Sequence, residues 1–117
     1  MPITTRISER VAEGSTARVT GSFVDLDGEA FKPEQVLMTL YNVSTGEIIN
    51  NRSDVDVTSY VDDSGNLSLE LTPDDNPILH KSREESRILL LEWTWDSGLK
   101  AGKHEIHFVV RDLAFVQ

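Results

Sequence analysis

The sequence predicts an all-β domain, an antiparallel β-sandwich of about seven or eight strands. Three observations carry this. Apolar and polar residues alternate with a period of two along most of the chain, as half-buried strands require. Turn-forming groups interrupt the alternation at short intervals, as in Glu13-Gly14-Ser15, Ser44-Thr45-Gly46, Asp62-Asp63-Ser64-Gly65-Asn66 and Asp96-Ser97-Gly98. The chain is 117 residues long, enough for one core that buries roughly two-thirds of the surface the unfolded chain exposes. Residues 1–117 therefore read as a single domain.

The elements follow in order. A first strand is expected over Ile3 to Val11 and a second over Ala17 to Phe23, where Ala17, Val19, Gly21 and Phe23 share one face; together they read as a hairpin. Asp25-Leu26-Asp27-Gly28-Glu29 turns the chain, and a third strand runs from Gln35 to Val43 with Val36, Met38 and Leu40 on one face. Glu47 to Asn50 is expected as a short edge strand, and Val55 to Val61 as the next alternating run. Gly65 can take positive φ in the turn that follows, after which Leu67, Leu69 and Leu71 mark a buried face. Pro73 and Pro77 then end that strand.

Ser82-Arg83-Glu84-Glu85 has the spacing of a helix capping box, and a helix from there into Glu92 competes with a strand beginning at Arg87. The strand is the preferred reading. It places Leu89, Leu91, Trp93 and Trp95 on one face and Ile88, Leu90, Glu92 and Thr94 on the other, as in a central strand covered on both sides. Ile106, Phe108 and Val110 form the last core stripe.

Twenty acids against 11 bases give a formal net charge of -9, which repels nucleic-acid phosphates and anionic lipid; neither is expected as a partner. No apolar run approaches the roughly 20 residues of a membrane-spanning helix. With no cysteine, disulfides and thiolate chemistry are excluded, which fits folding in a reducing compartment. The opening residues have no basic flank followed by an apolar stretch, so a secretory signal is not expected there.

Several segments carry a resemblance. Thr20 to Gly28, Lys32-Pro33-Glu34-Gln35-Val36 and Leu40 to Gly46 are similar to small immunoglobulin-like or fibronectin type III-like domains in structural proteins of tailed bacteriophages. Tyr60 to Leu67, Pro73 to Pro77, Leu91 to Trp95 and Gly102 to Phe108 extend the similarity over nearly the whole chain. The resemblance implies an immunoglobulin-like sandwich that folds in host cytoplasm and acts in the virion. It implies head decoration or a head–tail accessory role, with capsid or tail proteins as partners and a homo-oligomeric arrangement on a symmetric lattice. It offers no functional residue to transfer, and the inter-sheet cysteine pair of antibody domains is missing.

Candidate sites are few. His104 and His107 are three apart, which on a strand puts them on opposite faces, and His80 is distant, so a histidine metal site is not expected. In a sandwich wound in immunoglobulin order, alternate loops gather at one end. That end would bring Asp27, Glu29, Asp62, Asp63 and Asp96 together with Lys32, Lys100 and Lys103. Asp27, Glu29, Asp62 and Asp63 are therefore the candidate calcium ligands, with turn-forming, solubilising aspartates as the competing reading. No other cofactor is expected.

Trp93 and Trp95 could form a carbohydrate platform, the basis of the alternative reading as an adhesion or carbohydrate-binding module, but their shared face with Leu89 and Leu91 favours core anchors. No nucleophile elbow, phosphate loop or zinc-helix motif occurs, and a non-enzymatic role is expected. Asn-x-Ser sequons at Asn42, Asn51 and Asn66 carry no weight without a secretory signal.

Overall fold

The computed structural model describes residues 3–6, 10–78 and 84–111, with side chains from residue 12 onward within those ranges. Eight paired segments form two sheets: β1 (Ile3–Arg6), β2 (Arg10–Ala12), β3 (Ala17–Phe23), β4 (Gln35–Asn42), β5 (Val55–Asp56), β6 (Asn66–Leu71), β7 (Glu84–Trp95) and β8 (Lys100–Arg111). Only six of them run four residues or more, fewer than the seven or eight strands expected. The smaller sheet has the order β1-β3-β6 and the larger β2-β8-β7-β4-β5. All pairings are antiparallel except that of β2 with β8.

The inward faces are those the alternation predicts. Val19 and Phe23 of β3 and Leu67, Leu69 and Leu71 of β6 meet Val36, Met38 and Leu40 of β4 across the gap between sheets. Leu89, Leu91 and Trp93 of β7 and Ile106, Phe108 and Val110 of β8 complete the layer. Each such aliphatic side chain, fully withdrawn from water, contributes about 1.5–3 kcal/mol. Trp93 lies edge-on to Phe23, with ring centroids 5.0 Å apart, and is 1% exposed. Its cross-strand partner is Gly102, where a Cβ would stand 2.5 Å from the indole ring, so a side chain there would displace the tryptophan.

The expectations that fail have local causes. The first strand is two pieces in different sheets: Ile3–Arg6 pairs antiparallel with β3, whereas Arg10–Ala12, between them in the chain, runs beside β8, so the expected hairpin does not form. Glu47 to Asn50 contributes one bridge, Ile48 to Tyr41, because Asn50 and Asn51 take φ of 52° and 56° and turn the chain away. The run from Val55 stops after two residues. Asp56 Oδ1 accepts hydrogen bonds from the Thr58 amide (2.9 Å) and hydroxyl (2.6 Å), opening a 3-10 turn over Thr58–Tyr60. That turn docks on β4 through Thr58 Oγ1, which accepts the Val36 N–H at 2.9 Å.

Glu84 and Glu85 lie in β7, so the helical alternative is excluded there; Ser82 and Arg83 of the same motif lie outside the described residues. The outer face of β7 is only partly covered: Ile88 is buried, while Leu90, Glu92 and Thr94 are half-buried.

Of the four sheet edges, formed by β1, β6, β2 and β5, the last is short and that of β6 is partly blocked. β5 is two residues long. On β6, Asp62 Oδ1 takes the Asn66 N–H at one end (2.9 Å), and Asp75 Oδ2 takes the Thr72 N–H just past the other (2.7 Å). Carboxylates aimed at the backbone of an edge strand leave fewer open donors for another strand to pair with.

Candidate functional site

The loops that were expected to gather at one end do so. β3 leaves the sandwich beside the start of β6, and β4 begins opposite the end of β7, with Gln35 paired to Thr94. The connections 24–34, 57–65 and 96–99 therefore share that end. Phe31 ties the first to the third by packing on Trp95, with ring centroids 5.0 Å apart, and Glu34 Oε1 accepts the Ser97 N–H at 2.7 Å. Gly65 ties the first to the second, since its carbonyl accepts the Phe23 N–H at 2.9 Å.

Gly65 has no room for a side chain. Its φ is +82°, and a Cβ would fall 2.2 Å from the Phe31 carbonyl oxygen and 3.2 Å from that of Phe23, both rigid backbone atoms. Gly65→Ala is expected to lower unfolding stability by about 2–3 kcal/mol, from left-handed strain plus the clash. Gly28→Ala, also at φ +82° but with no atom within 4 Å, should lose only about 1 kcal/mol. Urea unfolding of the two variants checks the difference; equal losses would show that the contact with Phe31 does not matter.

The four candidate calcium ligands are brought to this end but not to one point. Among the described residues, no three His, Cys, Asp or Glu side chains form a group able to hold a metal ion. The Asp62 carboxylate is engaged within its own turn, and the other three face solvent or a lysine. Asp62 Oδ1 accepts the Ser64 and Asn66 amides, each at 2.9 Å. The Asn66 amide bond, which outweighs the opposing effect of desolvation, helps hold Asp62 below the usual carboxylate range, aided by Ser64 and Lys32. Asp63 faces Lys32 at 4.0 Å, and Asp27 and Glu29 point into solvent, their backbone amides held by Asp25 Oδ1 at 2.9 and 3.0 Å. The carboxylates that build these turns are those of Asp25 and Asp62. Of the lysines expected here, Lys100 lies 3.9 Å from Asp96, while Lys103 sits along β8, 3.4 Å from Glu92.

The other sequence candidates resolve simply. His104 and His107 fall on opposite faces of β8, with His107 Nε2 3.3 Å from Glu105, and His80 lies outside the described residues. Trp93 is core, which removes it from any sugar platform; Trp95 is half-buried against Phe31. Asn42 is 1% exposed and closed to modification.

Two buried charged centres were missed. Asp75, wholly buried in the 3-10 turn Pro73–Asp75, accepts hydrogen bonds from Asn50 Nδ2 (2.9 Å), Arg52 Nε (2.9 Å), the Thr72 amide (2.7 Å) and the Thr72 hydroxyl (3.0 Å). Burial pushes its carboxyl up, yet the bonds from Arg52, Asn50 and Thr72 outweigh burial and hold it below the usual range. The same contact with Asp75 raises the Arg52 guanidinium. This pair borders a cleft of about 140 Å³ between β5 and β6, lined also by Met38, Tyr60, Leu69 and Leu71. A carboxylate saturated by donors is locked in its ionised form and braces the loops; it is not poised to exchange a proton.

Arg87 is the second centre. It lies inward on β7 and is fully buried; Nη2 donates to Glu85 Oε1 (2.8 Å) and to the Pro77 carbonyl, and Nη1 reaches Asn42 Oδ1 at 3.5 Å. The signal available in the sequence was parity: Glu85 and Arg87 share the inward face with Leu89 and Leu91. Both centres anchor the connection between β6 and β7.

No known family model matches the chain, and no curated protein matches it either. Among the described residues, no helix is long and apolar enough to cross a membrane.

Proposed function

We propose that this chain is a non-enzymatic structural component of a tailed-bacteriophage particle, a head decoration or head–tail accessory protein, working as a docking module on other virion proteins. The observation that carries the reading is the likeness of its framework segments to immunoglobulin-like virion domains. The strand order supports it: β1-β3-β6 faces β8-β7-β4, the winding of that fold, with β5 as a short added edge. Segments that carry the resemblance coincide with the turns that brace the sandwich, at Asp25 to Gly28, Asp62 to Asn66 and Pro73 to Pro77. A braced, cysteine-free sandwich suits a protein that folds in host cytosol and is then held in a lattice, and the guarded β6 edge limits stray strand pairing that would misassemble particles. Its charge of -9 suits an outer surface better than a DNA-facing one.

Mass spectrometry of purified particles tests the proposal. The chain should be present in mature particles at a copy number set by the symmetry of its lattice. Its absence from them would overturn the structural role.

A further inference from the structure

The two most exposed large hydrophobic residues among those described, Leu26 at 82% and Leu99 at 83%, occupy tips of two loops at the same end of the sandwich. Each tip is held from within. Around Leu26, the Asp25 carbonyl accepts the Gly28 N–H (3.0 Å), the Asp25 N–H donates to the Glu29 carbonyl (2.8 Å), and the Asp25 carboxylate holds the Asp27 and Glu29 amides. The turn before Leu99 is closed by Gly98 N–H to the Trp95 carbonyl (3.2 Å) and Leu99 N–H to the Asp96 carbonyl (3.0 Å). The Phe31–Trp95 packing and the Glu34–Ser97 bond join the two loops. Leucines presented on fixed turns lose little conformational freedom on binding, so burying them stabilises a complex more fully than burying residues of a floppy loop.

The surroundings select the partner. Asp27, Glu29, Asp63 and Asp96 lie in the loops at this end, and among the described residues Lys32 and Lys100 offset them, each facing one of these acids. Such a field repels an anionic membrane and equally a second copy of this chain. Deepening the docking reading by naming its surface, we propose that this end binds a protein partner through Leu26 and Leu99, which enter an apolar pocket rimmed by Lys and Arg side chains.

The test uses the full chain with a photo-crosslinking residue in place of Leu26 or Leu99, and at the exposed outer-face positions Ser68 and Glu105 as controls, irradiated in cells producing the protein. The cross-linked protein is identified, purified and titrated against wild type and the double variant L26S/L99S. Both leucines are solvent-exposed, so unchanged melting should confirm that the variant folds. The expected result is one partner captured from the two tips and not from the controls. Its affinity should fall about tenfold or more in L26S/L99S, and salt should weaken the wild-type complex.

Equal capture from the controls, capture of only a second copy, no capture, or an affinity unchanged in L26S/L99S would each overturn the proposal. So would binding of wild type to phosphatidylcholine vesicles that the double variant loses. A tip partner outside the particle would preserve this proposal while counting against the virion role. Particle incorporation of L26S/L99S at wild-type level would preserve the virion role while overturning the tip as the docking surface.

Discussion

Arg87→Met is expected to lower unfolding stability by about 3–5 kcal/mol, a large share of what a domain of this size has to lose. The guanidinium is fully buried, and its removal strips the cation from beside Glu85, itself 7% exposed, and a donor from the Pro77 carbonyl. A buried carboxylate that loses its neighbouring cation is costly to keep ionised. Replacing both members, Glu85→Met with Arg87→Met, should recover much of the loss, because a well-packed apolar pair replaces a pair that was expensive to desolvate. The present arrangement is imperfect, with no partner among the described residues for Arg87 Nε or Asn42 Nδ2, which leaves room for recovery. Urea unfolding of the two single variants and the double checks this. If the double variant is as unstable as the sum of the singles, the two residues act independently and the ion-pair account fails.

Asp75→Ala is expected to remove about 3 kcal/mol, since it deprives the Thr72 amide and hydroxyl, Asn50 and Arg52 of a shared acceptor. Arg52 is partly exposed and recovers some hydration, which keeps the loss below that for Arg87. The pH dependence follows from the direction of the shift. Asp75 is held below its ordinary value of 3.8, so its ionised form favours the folded state. That contribution is complete above the unfolded value, at about pH 4 and higher, and is lost as pH falls through the lower folded value. Asp62 and Asp56 are shifted in the same direction and add to acid sensitivity. Asp75→Asn isolates the one group: its stability deficit against wild type should be constant from about pH 7 to 5 and shrink below about pH 4. A deficit that does not vary with pH would show that shape, and not charge, matters at this position.

Much of the fold was legible because the sheets are half-buried in a simple way. Val36-Met38-Leu40, Leu67-Leu69-Leu71, Leu89-Leu91-Trp93 and Ile106-Phe108-Val110 all face the core as the alternation indicates. The elements that were misread lie where backbone and side chain compete. In Val55 to Val61 the alternating pattern is good, but the Asp56 carboxylate captures Thr58 and coils the chain. At Asn50, Asn51 and Asp54, positive φ interrupts extension, which asparagine and aspartate accept readily without marking it in composition.

The candidate site was half legible. That acidic loops would share an end followed from the turn positions once an immunoglobulin-type winding was supposed; that their carboxylates would not converge did not. Asp74 and Asp75 are neighbours of identical chemistry, one exposed and one wholly buried. What separates them is Asn50 and Arg52, which lie 25 and 23 residues earlier in the chain.

By itself the sequence determined the β class, the core stripes and an acidic, cysteine-free surface, because these depend on side-chain period and composition, properties of neighbours in the chain. Only the tertiary structure decided which acid is buried, that Arg87 sits in the core, that Gly65 must lack a side chain, and that the loops carrying Leu26 and Leu99 share one end. Each of those depends on atoms brought close from distant parts of the chain, where desolvation and hydrogen bonding set the outcome and local pattern carries no trace of the partner.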